Sequence, residues 1–154
     1  MISVIMKRYL SKSEAQTRQI AIKLAAKIHL PAMVCLYGDL GSGKTVFTKG
    51  LAQALGISPK IIKSPTFTLQ RQYLTKQAHL YHFDFYRVSA SDELIGRDLI
   101  EALEDPIGLV VAEWADNVKD VLPKNRIDIQ CKYIDENTRE FIINSTKQND
   151  RTRC

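Results

Sequence analysis

Apolar and polar residues change their spacing several times along this chain, and each change predicts a different element. Residues 33–37 and 107–112 are continuous apolar runs, which are typical of strands buried on both faces of a sheet. Segments that mix β-branched, aromatic and polar residues predict further strands at residues 2–6, 67–74, 78–85, 127–133 and 140–143. Apolar side chains three or four positions apart predict helices at residues 11–30, 46–55, 91–103 and 116–121.

Capping and breaking residues set the predicted ends of these helices. Ser11 and Glu14 have the spacing of a capping box, so the first helix is predicted to begin at Ser11 and to end before Pro31. Gly56 is a natural stop for the second helix. Gly96 predicts a break within the third.

The order of the elements predicts an α/β fold with a mixed parallel and antiparallel central sheet flanked by helices. Residues 67–85 and 127–143 each predict an antiparallel hairpin, whereas the helix at 46–55 predicts a parallel crossover. Residues 1–146 are therefore expected to form one domain, and the polar residues 147–154 a disordered tail. A ligand of such a sheet binds at the carboxyl ends of its strands.

Composition narrows the class of protein. Hydrophobic residues make up 45% of the 154 residues and charged residues 25%, which is typical of a folded globular domain. The apolar runs are too short to span a bilayer, no signal peptide is recognisable, and the three cysteines are scattered. We therefore expect a cytoplasmic protein without disulfides and without a membrane anchor. The net charge of +5 comes from basic residues spread along the chain, which is weak evidence for direct nucleic-acid binding.

A glycine-rich segment between a predicted strand and a predicted helix matches the phosphate-binding loop pattern. It reads Gly38-Asp39-Leu40-Gly41-Ser42-Gly43-Lys44-Thr45, and we call these residues the phosphate loop. Its glycines let several backbone N–H groups point at one anion, and the helix that follows adds the positive end of its dipole. Lys44 is placed to reach the β- and γ-phosphates, and the Thr45 hydroxyl to bind Mg²⁺. The loop predicts nucleotide binding; the alternative is a glycine-rich turn that matches by chance.

Two acidic residues follow predicted strands and are candidates for hydrolytic chemistry. Glu113 follows the buried run at 107–112, where a carboxylate is costly unless it is paired or bound to a metal. We expect it to contact Mg²⁺ or a bound water, and the alternative is an ordinary surface acid. Asp84 is expected to orient the attacking water or to hold the ion through water. Its alternative is an internal pair with His82 or Arg87 that only fixes the strand end.

Two further residues are candidates for contacts with the nucleotide. Thr66 follows a turn made rigid by proline, and its hydroxyl is expected to sense the γ-phosphate; a turn that merely starts a strand is the alternative. Trp114 directly follows Glu113 and is expected to lie near the ion; the alternative is a core or rim aromatic. His29 and His79 have no partners at ligand spacing, so no zinc site is predicted.

Several motifs occur together in an order that is more specific than the phosphate loop alone. They are the phosphate loop, Ser64-Pro65-Thr66-Phe67-Thr68-Leu69, Tyr81-His82-Phe83-Asp84-Phe85-Tyr86-Arg87, Glu113-Trp114 and Leu122-Pro123. Over residues 11–143, nearly the whole chain, this set resembles the TsaE (YjeE) family, the small bacterial ATPase of the tRNA threonylcarbamoyladenosine pathway.

The resemblance implies a P-loop NTPase-like three-layer fold that binds ATP or ADP with Mg²⁺ and hydrolyses ATP slowly when alone. It also implies the TsaD and TsaB proteins as partners, with tRNA reached only indirectly through that complex. A family member does not transfer the threonylcarbamoyl group; its ATP cycle is implied to reset the complex between turnovers.

The resemblance also assigns roles by position. It implies that Leu40 through Thr45 contact phosphate, that Thr45 and Glu113 contact magnesium, and that three further positions are functionally important, namely Asp84, Thr66 and Trp114. Glu14 aligns near the family's contact to the nucleotide base. The chain departs from the pattern at Val46, where many members have a second hydroxyl residue, and it matches only loosely at residues 95–103.

Three other functions agree with a phosphate loop. A small-molecule kinase of this type needs an acceptor pocket and usually an arginine-rich lid, for which the chain has no insertion. A GTPase-like switch needs the asparagine-lysine-x-aspartate guanine signature, which is absent. A module that binds nucleotide without hydrolysing it would leave the intact lysine, the threonine and the two acids unexplained.

Overall fold

The computed structural model describes residues 4–88 and 93–146. Ten regular helices and strands follow one another in this part of the chain, and we number them in sequence order. They are β1 (Val4–Ser11), α1 (Glu14–Ala25), β2 (Ala32–Tyr37), α2 (Lys44–Ala54), β3 (Gln70–Leu74), β4 (His79–Asp84), α3 (Glu93–Glu104), β5 (Gly108–Glu113), β6 (Ile127–Asp135) and β7 (Thr138–Thr146). Short 3₁₀ helices span Pro59–Ile61 and Ala115–Val121. The predicted tail at 147–154 lies outside the described residues.

All seven strands belong to one sheet, in the order β1-β7-β6-β2-β5-β4-β3. Its centre is parallel, because β2 pairs with β5 and β6, and β5 pairs with β4, in the same direction. The β3–β4 and β6–β7 hairpins are antiparallel, and β1 is added antiparallel to β7. The predicted α/β fold with a mixed sheet is therefore confirmed, as are both hairpins and the parallel crossover.

The sheet is covered on both faces, which gives three layers. One face packs against α1 and α2 in a core whose buried members include Ala21, Phe47 and Leu51. The other face packs against α3 and the second 3₁₀ helix, with Leu99 and Val118 buried. Among the described residues, the structure has no helix that is both long and apolar enough to cross a membrane.

The first helix begins later than its capping pattern predicted. Ser11 is the last residue of β1, where it pairs with Arg139 of β7. The helix cap is Ser13, whose Oγ accepts from the backbone N–H of Gln16, and Glu14 is the first helical residue. The Ser11 prediction was wrong because strand pairing with β7 outweighs a local capping pattern, and a second serine two residues later supplies the cap.

Two other boundaries differ from prediction for local reasons. The strand predicted over residues 67–74 begins only at Gln70, because Leu69 has a left-handed backbone with φ +66° and its N–H donates to the Pro65 carbonyl in a turn. Helix α3 continues through Gly96 without a break. A glycine costs a helix only about 1 kcal/mol, and the burial of Leu99 and Ala102 on the sheet outweighs this cost.

Candidate functional site

The phosphate loop lies at the carboxyl edge of the parallel part of the sheet, between β2 and α2. Strand register brings the two predicted acids to the same edge. Glu113 pairs with Leu36 of β2 on one side and with Asp84 of β4 on the other. Three parallel strands therefore end side by side, and each delivers one of the predicted features to the same place.

The phosphate loop has the backbone that its glycines allow. Gly38 has φ +145°, and a Cβ placed on it would lie 2.3 Å from the Cys131 carbonyl oxygen of β6, so only glycine fits there. Gly43 precedes α2 with φ +101° and offers no side-chain cap. The first N–H groups of α2 are therefore available to an anion at the helix's positive end.

Lys44 is folded back onto the loop that carries it. Its Nζ donates to the carbonyl oxygens of Gly38 at 2.5 Å and Asp39 at 2.9 Å, and to Ser42 Oγ at 3.4 Å. Burial lowers the pKa of Lys44, while the negative charge of Glu113 opposes that shift. An anionic phosphate in the loop would give this buried ammonium a charged partner in place of carbonyl dipoles.

Glu113 connects the loop to a neighbouring strand. Thr45 Oγ1 lies 3.1 Å from Glu113 Oε1 and 3.4 Å from Oε2. On its other side Glu113 Oε2 lies 2.5 Å from His82 Nε2, and both side chains are almost completely buried. The ordinary surface acid considered as an alternative is therefore excluded. His82, which the sequence offered only as a possible partner of Asp84, is bound to the other acid.

Asp84 is buried and held by hydrogen bonds rather than by an ion pair with His82. Its Oδ2 accepts from Ser64 Oγ at 2.7 Å and Thr66 Oγ1 at 2.8 Å, and its Oδ1 accepts from the Tyr86 N–H at 2.9 Å. The loop that carries Thr66 is thus attached to the end of β4. The predicted threonine and the predicted acid form one hydrogen-bonded unit beside the phosphate loop.

Trp114 has an unusual backbone for a bulky residue, with φ +56° and ψ +40°. Its ring lies 4.9 Å from the Tyr86 ring, and Lys44 Nζ lies 4.4 Å from the Trp114 ring centroid. The left-handed turn directs the indole away from the strand and over the phosphate-loop lysine. Trp114 is thus a rim aromatic of this site.

These groups surround one cavity of about 800 Å³. Ligand pockets usually measure about 300–1,000 Å³, so a nucleotide fits. The predicted residues that line it are Glu14, Leu40, Gly41, Gly43, Lys44, Thr45, Thr66, Asp84, Glu113 and Trp114. Asp39 and Ser42 do not line it; the Asp39 carbonyl oxygen and Ser42 Oγ accept from Lys44 Nζ instead. Val46, at the position where the resemblance implied a hydroxyl residue in many members, lines the cavity as well.

Sequence reasoning missed Arg139, which lines the same cavity from β7. Its Nε donates to the Gly41 carbonyl oxygen at 2.8 Å, and its guanidinium lies 4.4 Å from the Tyr133 ring centroid. The contact spans 98 positions of sequence, so no local spacing could indicate it. Lys12 and Asn137 line the cavity too and were also missed.

The residues present fit a magnesium ion bound with a nucleotide. Within residues 4–88 and 93–146, no three histidine, cysteine or acidic side chains form a metal-binding group. Magnesium does not need such a group, because it prefers oxygen ligands and usually takes one or two from the protein, with phosphates and waters completing its shell. The Thr45 hydroxyl and the Glu113 carboxylate supply oxygens of this kind.

Comparison with known proteins places the chain in a family. Residues 11–141 match the family model for the threonylcarbamoyl adenosine biosynthesis protein TsaE. The tRNA threonylcarbamoyladenosine biosynthesis protein TsaE of Bacillus subtilis is 40% identical over 127 residues, which is 82% of this chain and 77% of that protein. The Aquifex aeolicus protein of the same name is 34% identical over 142 residues, 90% of this chain and 96% of its own length.

A solved structure agrees with the sequence comparisons. The crystal structure of YdiB from Bacillus subtilis superposes with a TM-score of 0.72 at 30% identity, over 97% of this chain and 90% of that one. The expected resemblance is therefore confirmed over nearly the whole chain. The chain belongs to the TsaE family, whose members act in tRNA threonylcarbamoyladenosine biosynthesis.

Proposed function

We propose that this chain is the magnesium-dependent, ATP-binding and ATP-hydrolysing subunit of the cytoplasmic threonylcarbamoyladenosine machinery, acting on a TsaD–TsaB complex. The observation that carries the proposal is the 3.1 Å approach of Thr45 Oγ1 to Glu113 Oε1. A hydroxyl from a phosphate loop beside a buried acid from the adjacent strand is the arrangement that phosphate-loop NTPases use for Mg²⁺.

Each residue has a distinct part in this proposal. Lys44 would leave the loop carbonyls for the phosphate oxygens, and the free N–H groups at the start of α2 would bind the same phosphates. Thr45 and Glu113 would hold Mg²⁺, which supplies charge neutralisation to the phosphates. Asp84, fixed by Thr66, would orient the attacking water.

Exposed apolar side chains support a partner that completes the site. Leu40 lines the cavity and is 74% exposed, and Phe67, directly after Thr66, is 83% exposed. Large apolar groups at a cavity mouth are typical of protein interaction sites. A partner covering them would exclude water from the phosphates, and hydrolysis by the chain alone would then be slow, as the family resemblance implies.

The test combines nucleotide affinity with phosphate release, measured with and without TsaD–TsaB. We expect the wild type to bind ATP and its hydrolysis to rise with the partners, and Lys44→Ala to lose both properties. Lys49→Ala, on the same helix, is the matched control and should behave as wild type. The proposal fails if the wild type neither binds ATP nor responds to TsaD–TsaB.

The same assays separate the alternatives. Phosphate transferred from ATP to a metabolite rather than to water would indicate a kinase. Tight nucleotide binding with hydrolysis at background, even with both partners present, would indicate a binding module. A preference for GTP over ATP would indicate a GTPase-like switch.

A further inference from the structure

His82 is a buried ionisable residue that contacts Glu113 of the site, and the proposed function gives it no role. It lies on β4, and its side chain is completely buried. Leu80, two residues earlier on the same face of β4, belongs to the core that packs against α1 and α2. Asp84, two residues later on that face, belongs to the site, so His82 lies between the core and the site. A side chain in this place could serve packing alone or could act on the site above it.

Packing alone does not explain a histidine at this position. Its Nδ1 is buried and has no hydrogen-bond partner among residues 4–88 and 93–146. An unpaired buried nitrogen costs free energy that an apolar side chain of similar size would not. The ring does make a polar contact from Nε2 to Glu113 Oε2, at 2.5 Å. This contact therefore explains why the position holds a histidine rather than an apolar residue.

This contact fixes which way the Glu113 carboxylate faces. Asp84 of β4 pairs with Glu113 of β5 in the parallel register. His82 lies two residues before Asp84, so its side chain is on the same face of the sheet as that of Glu113. With Oε2 held by His82, Oε1 is directed to Thr45 Oγ1 at 3.1 Å. Because a carboxylate accepts, Nε2 must carry the hydrogen of this bond.

We propose that His82 is a positioning residue that orients the Glu113 carboxylate toward Thr45 so that both can bind one metal ion. The inference rests on the proposed function, since it deepens the role of the same two ligands. Outer-shell hydrogen bonds to metal-binding carboxylates typically change metal affinity by about 10- to 100-fold. His82 acts through Glu113 and does not touch the metal itself.

The test compares two amides at this position. A glutamine amide nitrogen reaches about as far as histidine Nε2, whereas an asparagine amide reaches only as far as Nδ1. We expect His82→Asn to weaken Mn²⁺ binding in the presence of ADP by about 10- to 100-fold, and His82→Gln to recover most of that loss. The concentration of free Mn²⁺ is measured by electron paramagnetic resonance. ADP affinity is measured separately in EDTA and should be the same in both variants as in the wild type, which separates metal binding from nucleotide binding.

The chain offers a matched control on the same strand. His79 also pairs with a carboxylate, from Nδ1 to Asp105 Oδ2 at 2.6 Å, but it lies at the amino end of β4, away from the cavity. His79→Asn should leave Mn²⁺ affinity at the wild-type value whatever it does to the melting temperature. A metal-free crystal structure of His82→Asn should show Glu113 no longer within hydrogen-bond distance of Thr45 Oγ1.

The outcomes separate this inference from the proposed function. Equal Mn²⁺ affinities for His82→Asn, His82→Gln and the wild type would overturn the inference, provided that Glu113→Ala still weakens Mn²⁺ binding. If Glu113→Ala leaves Mn²⁺ affinity unchanged as well, the proposed metal site itself is wrong. A parallel fall in ADP affinity in EDTA would show a general structural effect and would also overturn the positioning role.

Discussion

Thr66→Val tests whether the hydroxyl groups around Asp84 hold it in place. Valine keeps the shape of threonine but removes the donor that lies 2.8 Å from Asp84 Oδ2. Asp84 is only 2% exposed, so water cannot readily replace the lost donor. A hydrogen bond to a charged group contributes about 1.5–3 kcal/mol. Since Ser64 Oγ still donates to the same oxygen, we expect the low end, about 1.5 kcal/mol.

The assay is thermal unfolding at pH 7 without nucleotide or metal. In a chain of this size each kcal/mol shifts the melting temperature by about 2–4 °C, so a fall of about 3–6 °C is expected. The matched control is Thr68→Val, an exposed position two residues later, which should stay within about 0.5 kcal/mol of wild type. Combining Thr66→Val with Asp84→Ala should give much less than the sum of the two effects, because each change removes the Thr66–Asp84 hydrogen bond.

Two results would show that the Thr66 hydroxyl does not hold Asp84 in place. One is a Thr66→Val melting temperature that matches the Thr68→Val control. The other is full additivity with Asp84→Ala, which would mean that the two side chains do not stabilise each other. Either result would mean that the Thr66 hydroxyl does not stabilise Asp84.

Two further predictions concern groups at opposite ends of the sheet. The hydrogen bond from the Tyr81 hydroxyl is the main reason why the pKa of Asp105 lies below its usual value in the folded chain. That contribution to stability is complete above the unfolded pKa of about 3.9 and is lost as the pH falls through the lower folded value. The gap in unfolding free energy between wild type and Asp105→Asn should therefore be smaller at about pH 2 than at about pH 5; a gap that does not narrow below about pH 4 would contradict the shift. Arg139→Gln removes the 2.8 Å donor to the Gly41 carbonyl and should weaken ADP binding about fivefold, as expected for about 1 kcal/mol at an exposed site. Arg8→Gln, a change of the same kind on β1, should not affect ADP binding, and equal affinities for the two variants would exclude the contact.

The sequence predicted those parts of the site whose geometry is local. The phosphate loop needs only its own glycines, the strand before it and the helix after it. Glu113 was predicted because it directly follows a continuous apolar run, and a run of this kind is a buried strand whose end can be located from sequence. Parallel strands then bring such ends to one edge of the sheet without further information.

Parts of the site that depend on strand order could not be predicted. His82 bonds to Glu113 because β4 lies next to β5 in a particular register, whereas sequence proximity suggested Asp84 as its partner. Arg139 reaches Gly41 because β7 folds back onto β6, which lies beside β2. Ser11 was misassigned for the same reason, since its pairing with β7 lies outside any local window.

We propose that nucleotide turnover at Lys44 drives repeated cycles of tRNA modification by the partner proteins. The test is threonylcarbamoyladenosine formation on tRNA by TsaD and TsaB together with TsaC, a third protein that the family resemblance implies acts with them. It uses tRNA in large excess and this chain as wild type or Lys44→Ala. We predict many products per TsaD–TsaB complex with the wild type and ATP, and about one with Lys44→Ala or with a non-hydrolysable ATP analogue. Equal product yields from wild type and Lys44→Ala would contradict the account.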